Sequence, residues 1–307
     1  MTSINTNRAA MTALQSLNVT NARLEDVQQR ISTGLRVASA SDNAAYWSIA
    51  TTMKSDNSSL STVQDALGLG SATVDVTYTA INTAIESTKA IKDKLVAARQ
   101  SGVDKVKIQA EITARQSQLR SISDSASFSG ENWLAVDSSL ASYNPNKSIV
   151  SSFARGASGI TIQTIDFNGD AAKLYDDNDQ SGILDLEDTT TNGGVTYSVA
   201  TLDISTLTDS ANDTADLEQM ITWVDNALGA MTTAAANLGA LKNSIDNQTS
   251  FVKTLMEAVQ RGVGTLVDAD MTEESTKLQA LQVQQQLGVQ ALSIANQNSQ
   301  TILSLFK

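Results

Sequence analysis

The chain has 307 residues, no cysteine, no histidine, a single proline and a formal net charge of −12. That length can build two or three cored domains, but the missing thiols and imidazoles exclude disulfides, thiolate sites and the commonest general base and zinc ligand, which argues against an enzyme. The acidic balance lacks the basic footprint of a nucleic-acid binder, no apolar run approaches the roughly 18 residues of a membrane span, and residues 1–8 carry no charged-then-apolar secretory leader.

The first predicted element is an amphipathic helix. Ile4, Met11, Leu14, Leu17, Leu24, Val27, Ile31 and Leu35 form an apolar stripe, and residues 1–22 hold one charged side chain, Arg8. Met11, Leu14 and Leu17 step by three and three, a slip that would locally overwind a coiled coil. Gly34 and the polar run 38–43 predict a break before a second helix. There Val74, Tyr78, Ile81, Ile85 and Leu95 keep the three-four rhythm, Thr88 and Lys92 take two seam positions, and Gly68 and Gly70 weaken the middle. After a turn at Ser101-Gly102, Ile108, Ile112, Leu119 and Ile122 form the seam of a third helix, interrupted by Arg115, so that the pair reads as a helical hairpin.

From about Phe128 to Ala211 the composition shifts to Gly, Thr, Ser and Asn. Alternation over 159–165 and 195–199 predicts strands, and Asn168-Gly169 and Asn192-Gly193 supply turn residues. Asp177, Asp179, Ser181, Gly182, Asp185 and Asp188 fall at positions 1, 3, 5, 6, 9 and 12 of a calcium loop, with Ile183 placed to offer its carbonyl. A hard cation needs several such oxygens; the last position is Asp where the motif has a bidentate Glu, and a solvated acidic loop is the competing reading. A site of this kind would be weak, about 10⁻⁴ to 10⁻³ M, and would stiffen the insert.

Asp216 with Gln219 resembles a capping box and opens the longest helical signal. Its seam runs through Leu217, Ile221, Val224, Leu228, Met231, Ala235, Leu238, Lys242, Ile245, Thr249, Val252, Met256 and Val259. Gly262, Gly264 and Asp268-Ala269-Asp270 predict a hinge. The last helix shows Leu278, Leu281, Gln285, Gly288, Leu292, Ala295, Ser299, Ile302 and Phe306 on one face, with only amides, serines and other neutral residues elsewhere before Lys307. An ordinary surface helix carries Glu and Lys there. Two charge-poor helices at opposite termini can pair, and their remaining faces then call for other copies of the chain. The expected subunit-contact residues are Ile4, Met11, Leu14, Leu17, Leu24, Ile31, Leu278, Leu281, Leu292, Ile302, Leu305 and Phe306. Lys242 and Arg115 read as side chains snorkelling to a rim, Trp223 as core, and Trp47 as core or interface. The fold class expected is mainly α: an elongated rod of long coiled-coil-like helices formed by both termini, with a small β-rich mid-chain insert. The reading is of an assembly protein.

Several dispersed stretches, in order, make the chain resemble bacterial flagellin. These are Gln29-Arg30-Ile31-Ser32-Thr33-Gly34-Leu35-Arg36, Asp42-Asn43-Ala44-Ala45, Ile108-Gln109-Ala110-Glu111-Ile112, Phe128-Ser129-Gly130-Glu131-Asn132-Trp133-Leu134, Ala295-Asn296-Gln297 and Ile302-Leu303-Ser304-Leu305. The resemblance implies that residues 1–44 and 268–307 form a discontinuous terminal domain lining the inner tube of a filament. It also implies that 45–137 and 212–267 form the outer tube, and that 138–211 is a surface insert. It implies a structural subunit without cofactors, exported through the flagellar type III channel to an extracellular filament. Its partners would be further copies, other flagellins, an export chaperone, and cap and hook-junction proteins, with no nucleic acid and no membrane insertion. Family members commonly have Asp-Asp-Ala-Ala-Gly-Leu where this chain has Asp42-Asn43-Ala44-Ala45-Tyr46-Trp47, and a proline at Ser299; the Tyr-Trp variant is similar to the alphaproteobacterial branch. The alternative within the same apparatus is the hook-filament junction protein, whose hinge usually has Asp-Asp-Pro where Ala44 stands. Residues 29–50, with Gly34, Asp42, Asn43, Tyr46 and Trp47, are similar to the flagellin peptide sensed by a plant receptor kinase. Tyr46 replaces the small glycine at which the co-receptor packs, so weak or absent sensing is expected.

Overall fold

The computed structural model describes residues 6–156 and 159–304, with side chains described through Gln297. Ile4, Leu305 and Phe306, and the side chain of Ile302, lie outside the described residues. The chain divides into two units, Met1–Ser58 with Met256–Lys307 and Ser59–Leu255.

In the first unit, α1 (Arg8–Thr33) runs antiparallel to the last helix, α5 (Met271–Ser304). Asn7 caps α1 by accepting the Ala10 N–H at 3.0 Å, and its amide donates to the Ala295 carbonyl of α5 at 2.9 Å. Further along, the Gln285 amide donates to Asn21 Oδ1 at 2.8 Å, and Arg30 meets Glu274 at 3.5 Å. The α1 residues facing α5 are half-buried Ala10, Ala13, Leu17, Thr20, Leu24 and Ile31 with buried Val27, an unbroken alternation of threes and fours. The predicted slip is therefore absent: Met11 and Leu14 are exposed outside this seam, and reading them with Leu17 merged two stripes. On α5 the facing residues are Leu278, Leu281, Gln285, Gly288, Leu292 and Ala295, as the sequence indicates. A Cβ at Gly288 would lie 3.2 Å from Leu17 Cδ1, so glycine is what admits the leucine.

Gly34 ends α1 in the left-handed region, φ 71°, its N–H returning to Arg30 O at 2.8 Å. The chain then lies against the end of α4 (Ala211–Val267): Arg36 N–H donates to Val267 O at 2.7 Å, Ala269 N–H to Gly34 O at 2.9 Å, and Leu35 bridges Asp268. Val37, Ala50, Val263 and Val267 form the small core here. Gly262 and Gly264 sit inside α4, so the predicted hinge narrows to Asp268–Asp270, where Asp270 caps α5 by accepting the N–H groups of Thr272 and Glu273. Asp42 ties the 38–42 turn by accepting two N–H groups, and Asn43 caps α2 (Ala44–Ala98) through Tyr46 N–H at 3.1 Å.

In the second unit α2 and α4 lie antiparallel, with Asp75 facing Lys242, Thr88 facing Met231, Lys92 facing Asp225 and Arg99 facing Glu218. Buried Leu67, Val74, Ile81, Ile91 and Leu95 of α2 and Leu217, Val224, Met231, Leu238 and Ile245 of α4 supply the core. Lys242 thus ends in an ion pair at the rim. α3 (Lys105–Ser125) adds Ile108, Ile112 and Leu119. The residue on its seam between 112 and 119 is Gln116, not Arg115, and its amide donates to the Val199 and Leu202 carbonyls at 3.0 Å each. Both backbone-facing ends of Gln109 are used likewise, on Leu202 O and Ile204 N. These amides satisfy the backbone of the irregular segment packed on α3.

The region after α3 holds β1 (Ser127–Phe128), β2 (Glu131–Asn132), β3 (Ala135–Val136), β4 (Asn146–Gly156), β5 (Gly159–Asn168), β6 (Tyr175–Asp176), β7 (Asp188–Thr189) and β8 (Thr196–Tyr197), in four two-stranded pairs. Among the described residues only the β4–β5 pair is long, with a bulge between Val150 and Ser152. The strand expected at 195–199 shrinks to β8, because Ser198 folds into a turn with Thr201, its N–H donating to Thr201 Oγ1 at 3.0 Å and its Oγ accepting the Thr201 N–H at 3.2 Å. Asn168 caps a 3-10 turn instead of closing a hairpin. α4 begins five residues before the predicted capping box; Ser210 caps it through Asp213 N–H at 3.1 Å. Asp216 and Gln219 instead hold the loop at 191–193, Asp216 accepting the N–H groups of Asn192 and Gly193 and Gln219 exchanging two bonds with Thr191.

The two helix-breaking glycines of α2 differ sharply. At Gly68 a Cβ meets nothing within 4 Å, whereas at Gly70 it would lie 2.5 Å from Cγ2 of buried Ile149, where the hairpin base rests. Gly68→Ala should therefore stabilise by up to about 1 kcal/mol through helix propensity. Gly70→Ala should lose about 1–3 kcal/mol to overpacking, recovered in part by Ile149→Val; denaturant midpoints of the three variants check this.

Candidate assembly surface

The feature that calls for a partner is the outward side of α1 and of α5. Residues 9–22 and 278–304 contain no charged side chain. With their inward positions facing one another, Met11 is 65% exposed, Leu14 48%, Leu287 58% and Ile294 59%, and Val19, Val283 and Val289 are exposed as well. Met11, Leu14, Asn18 and Ala22 repeat by three, four and four, and with Arg8 they line an open groove of about 660 Å³. On α5, Val283, Leu287 and Ile294 step by four and seven, nearly opposite the seam of Leu281, Gly288 and Leu292. A helix exposing an apolar stripe on both sides covers only one of them among the described residues.

The expected contact residues therefore separate into two groups. Leu17, Leu24, Ile31, Leu278, Leu281 and Leu292 are half-buried between α1 and α5, while Met11 and Leu14 point outward. The outward aliphatics of α5 escaped the sequence reading because the glutamines and asparagines between them dominate that face; their own four-and-seven spacing is the signal that identifies them. Tyr46 and Trp47, at the start of α2, are 42% and 39% exposed. Trp223 is half-buried, edge-on to Tyr197 at 6.5 Å.

The acidic loop does not build the predicted calcium cage. Among the described residues no group of three or more His, Cys, Asp or Glu side chains converges as a metal site. Each carboxylate of the predicted cage is engaged by a protein group. Asp177 takes the Arg120 guanidinium at 2.9 and 3.3 Å, Asp179 caps Ser181 N–H at 3.0 Å, Asp185 accepts Asp176 N–H at 2.7 Å, and Asp188 accepts Thr189 N–H at 2.9 Å. The cation at the centre is Lys173, whose ammonium lies 2.9 Å from Asp176 and 2.6 Å from Ser181 Oγ. Burial alone would raise the carboxyl of Asp176, which has no exposed surface, but Lys173 and the N–H groups of Ser138 and Asn178 outweigh it and hold it well below the usual carboxylate range. Gly182 serves this packing, since a Cβ there would lie 2.4 Å from Leu174 O.

Comparison with known proteins agrees with an assembly role. The N-terminal helical region of bacterial flagellin matches residues 4–138 and the C-terminal helical region matches 221–306. Flagellin C of Rhizobium meliloti (strain 1021) is 50% identical, flagellin of Brucella melitensis biotype 1 is 44% and Flagellin A of Rhizobium meliloti is 42%, each alignment covering all of both chains. A putative flagellar hook-associated protein from Vibrio parahaemolyticus shares the fold at a TM-score of 0.51 and 14% identity, over 74% of this chain and 100% of that one. No helix among the described residues is long and apolar enough to cross a membrane. The chain therefore belongs to the bacterial flagellin family, and is a structural subunit of the flagellar filament rather than an enzyme.

Proposed function

We propose that this flagellin polymerises through the outward faces of α1 and α5, with residues 1–44 and 268–307 lining the inner tube, 45–137 and 212–267 the outer tube, and 138–211 at the filament surface. The observation that carries the reading is that residues 9–22 of α1 and 278–304 of α5 hold no charge while Met11, Leu14, Val283, Leu287 and Ile294 are exposed, an arrangement suited to burial between copies. Subunits leave the cell through the flagellar export channel, accompanied by an export chaperone, and join the filament beyond the hook-junction proteins beneath a cap. The hook-junction alternative rests on a shared fold alone. In seeded polymerisation the purified chain should form long filaments, and trypsin should trim both ends of the monomer to about 45–265 but spare them in the filament, as expected when terminal helices gain their packing from neighbours. Equal resistance of the ends in monomer and filament would argue against it.

The same family reading bears on immune recognition. Tyr46 presents a large exposed ring where family members have glycine, so a synthetic 29–50 peptide should give little or no oxidative burst in plant tissue, and Tyr46→Gly should raise it. A full burst from the unmodified peptide contradicts this.

A further inference from the structure

Asn192-Gly193 is one of two Asn-Gly pairs in the insert, and its chemical surroundings differ from those of the other, Asn168-Gly169. One carboxylate holds both halves of the first pair. Asp216 Oδ2 accepts the Gly193 backbone N–H at 2.8 Å, and Oδ1 accepts the Asn192 side-chain amide at 3.1 Å and its backbone N–H at 3.1 Å. Asp216 itself is 2% exposed, while Asn192, Gly193 and Gly194 are open to water. A Cβ at residue 193 would approach Asp216 Oδ2 to 2.9 Å and displace it, so glycine is what lets the carboxylate hold this N–H. At the second pair the Gly169 N–H goes to the Pro145 carbonyl at 2.7 Å, Gly169 is buried, and Asn168 Oδ1 is engaged by Asp170 N–H at 3.0 Å. A peptide carbonyl is no base, so that N–H is simply blocked.

We propose that Asn192 is a self-deamidation site assisted by Asp216. The backbone nitrogen of Gly193 attacks Cγ of Asn192 as Asp216 Oδ2 takes its proton; the N–Cγ bond forms, the Cγ–Nδ2 bond breaks, and the proton passes from Asp216 to the departing amide nitrogen, which leaves as ammonia. Water then opens the succinimide to aspartate or isoaspartate at position 192. Asp216 begins and ends ionised, so the balance is asparagine plus water giving the acid plus ammonia. A carboxylate that binds the nucleophilic N–H and the leaving amide together supplies general acid–base assistance and orientation at once. The product sets a second negative charge beside the buried Asp216, which weakens the hold on the 190–195 loop. The process adds negative charge to the protein with time and needs no enzyme.

Peptide mapping by mass spectrometry of the full-length chain, incubated at neutral pH, reads both pairs in one sample. Asn192 should deamidate at least about tenfold faster than Asn168, and Asp216→Asn should slow Asn192 by about tenfold or more, general acid–base assistance contributing about 10² to 10⁴ in favourable cases. Gly193→Ala, which pushes the carboxylate away, should slow it too, and Asn192→Asp should reproduce the loosened loop as faster hydrogen exchange at 190–195. Circular dichroism and thermal midpoints confirm that the variants keep their fold. Equal rates at Asn192 and Asn168, or an unchanged rate in Asp216→Asn, would overturn the proposal, as would a faster reaction in Asp216→Asn, which would mean that Asp216 protects the amide.

Discussion

Met11→Glu combined with Leu287→Glu should abolish filament formation while leaving the monomer as stable as the parent. Both side chains are more than half exposed and lie outside the α1–α5 seam, so as surface substitutions they should move monomer stability by no more than about 0.5 kcal/mol each. Burial of each parent side chain in a subunit contact contributes about 1.5–3 kcal/mol, and an unpaired carboxylate enclosed in its place costs further. A loss of about 4–6 kcal/mol raises the critical concentration by about 10³ to 10⁴. Leu24→Glu, inside the seam, should by contrast also weaken the marginal α1–α5 pairing of the monomer, so that trypsin trims its ends faster than those of the parent. Sedimentation of seeded mixtures with circular dichroism of the monomer separates the two effects.

The second large effect is expected at Lys173. Lys173→Met leaves the Asp176 carboxylate buried without its cation, and loss of one partner of a buried pair costs about 3–5 kcal/mol. The loss should appear locally, as deprotection of amides over 173–188 in hydrogen exchange, before it appears globally. Lys92→Met, which breaks the exposed pair with Asp225 at 2.5 Å, should cost no more than about 1 kcal/mol. Acid acts on the same site with a definite sign. Because the folded carboxyl of Asp176 titrates below its ordinary 3.8, its contribution is fully present above that pH and is lost as pH falls below it, without change between neutrality and pH 5. In Lys173→Met that acid-dependent loss should shrink.

Much of the architecture is legible in the sequence where one periodic signal meets one neighbour. The inner face of α5 and the break at Gly34 are of this kind, since apolar residues at three-four spacing have a single place to go. Where a helix carries two apolar stripes, spacing alone misleads: Met11 and Leu14 look continuous with Leu17 although they are exposed outside its seam. Glycine content misleads too, because Gly68 and Gly70 interrupt propensity without interrupting α2, and Gly70 is present for Ile149 rather than for flexibility. Local motifs fared worst when a tertiary partner took their atoms. Asp216 and Gln219 have capping-box spacing, yet their side chains hold Asn192, Gly193 and Thr191. The acidic loop has the spacing of a calcium site, yet Lys173, three residues before Asp176, neutralises its centre, and a motif that starts at Asp177 cannot register it.

The most direct measurement is electron cryomicroscopy of filaments grown from this chain alone, at a resolution that places side chains. Met11, Leu14, Val283, Leu287 and Ile294 should be buried against neighbouring subunits, while Leu17 still packs on Gly288 of its own chain. Filaments in which those five side chains stay open to water, or in which the α1–α5 seam is exchanged for contacts elsewhere, would contradict the proposed assembly surface.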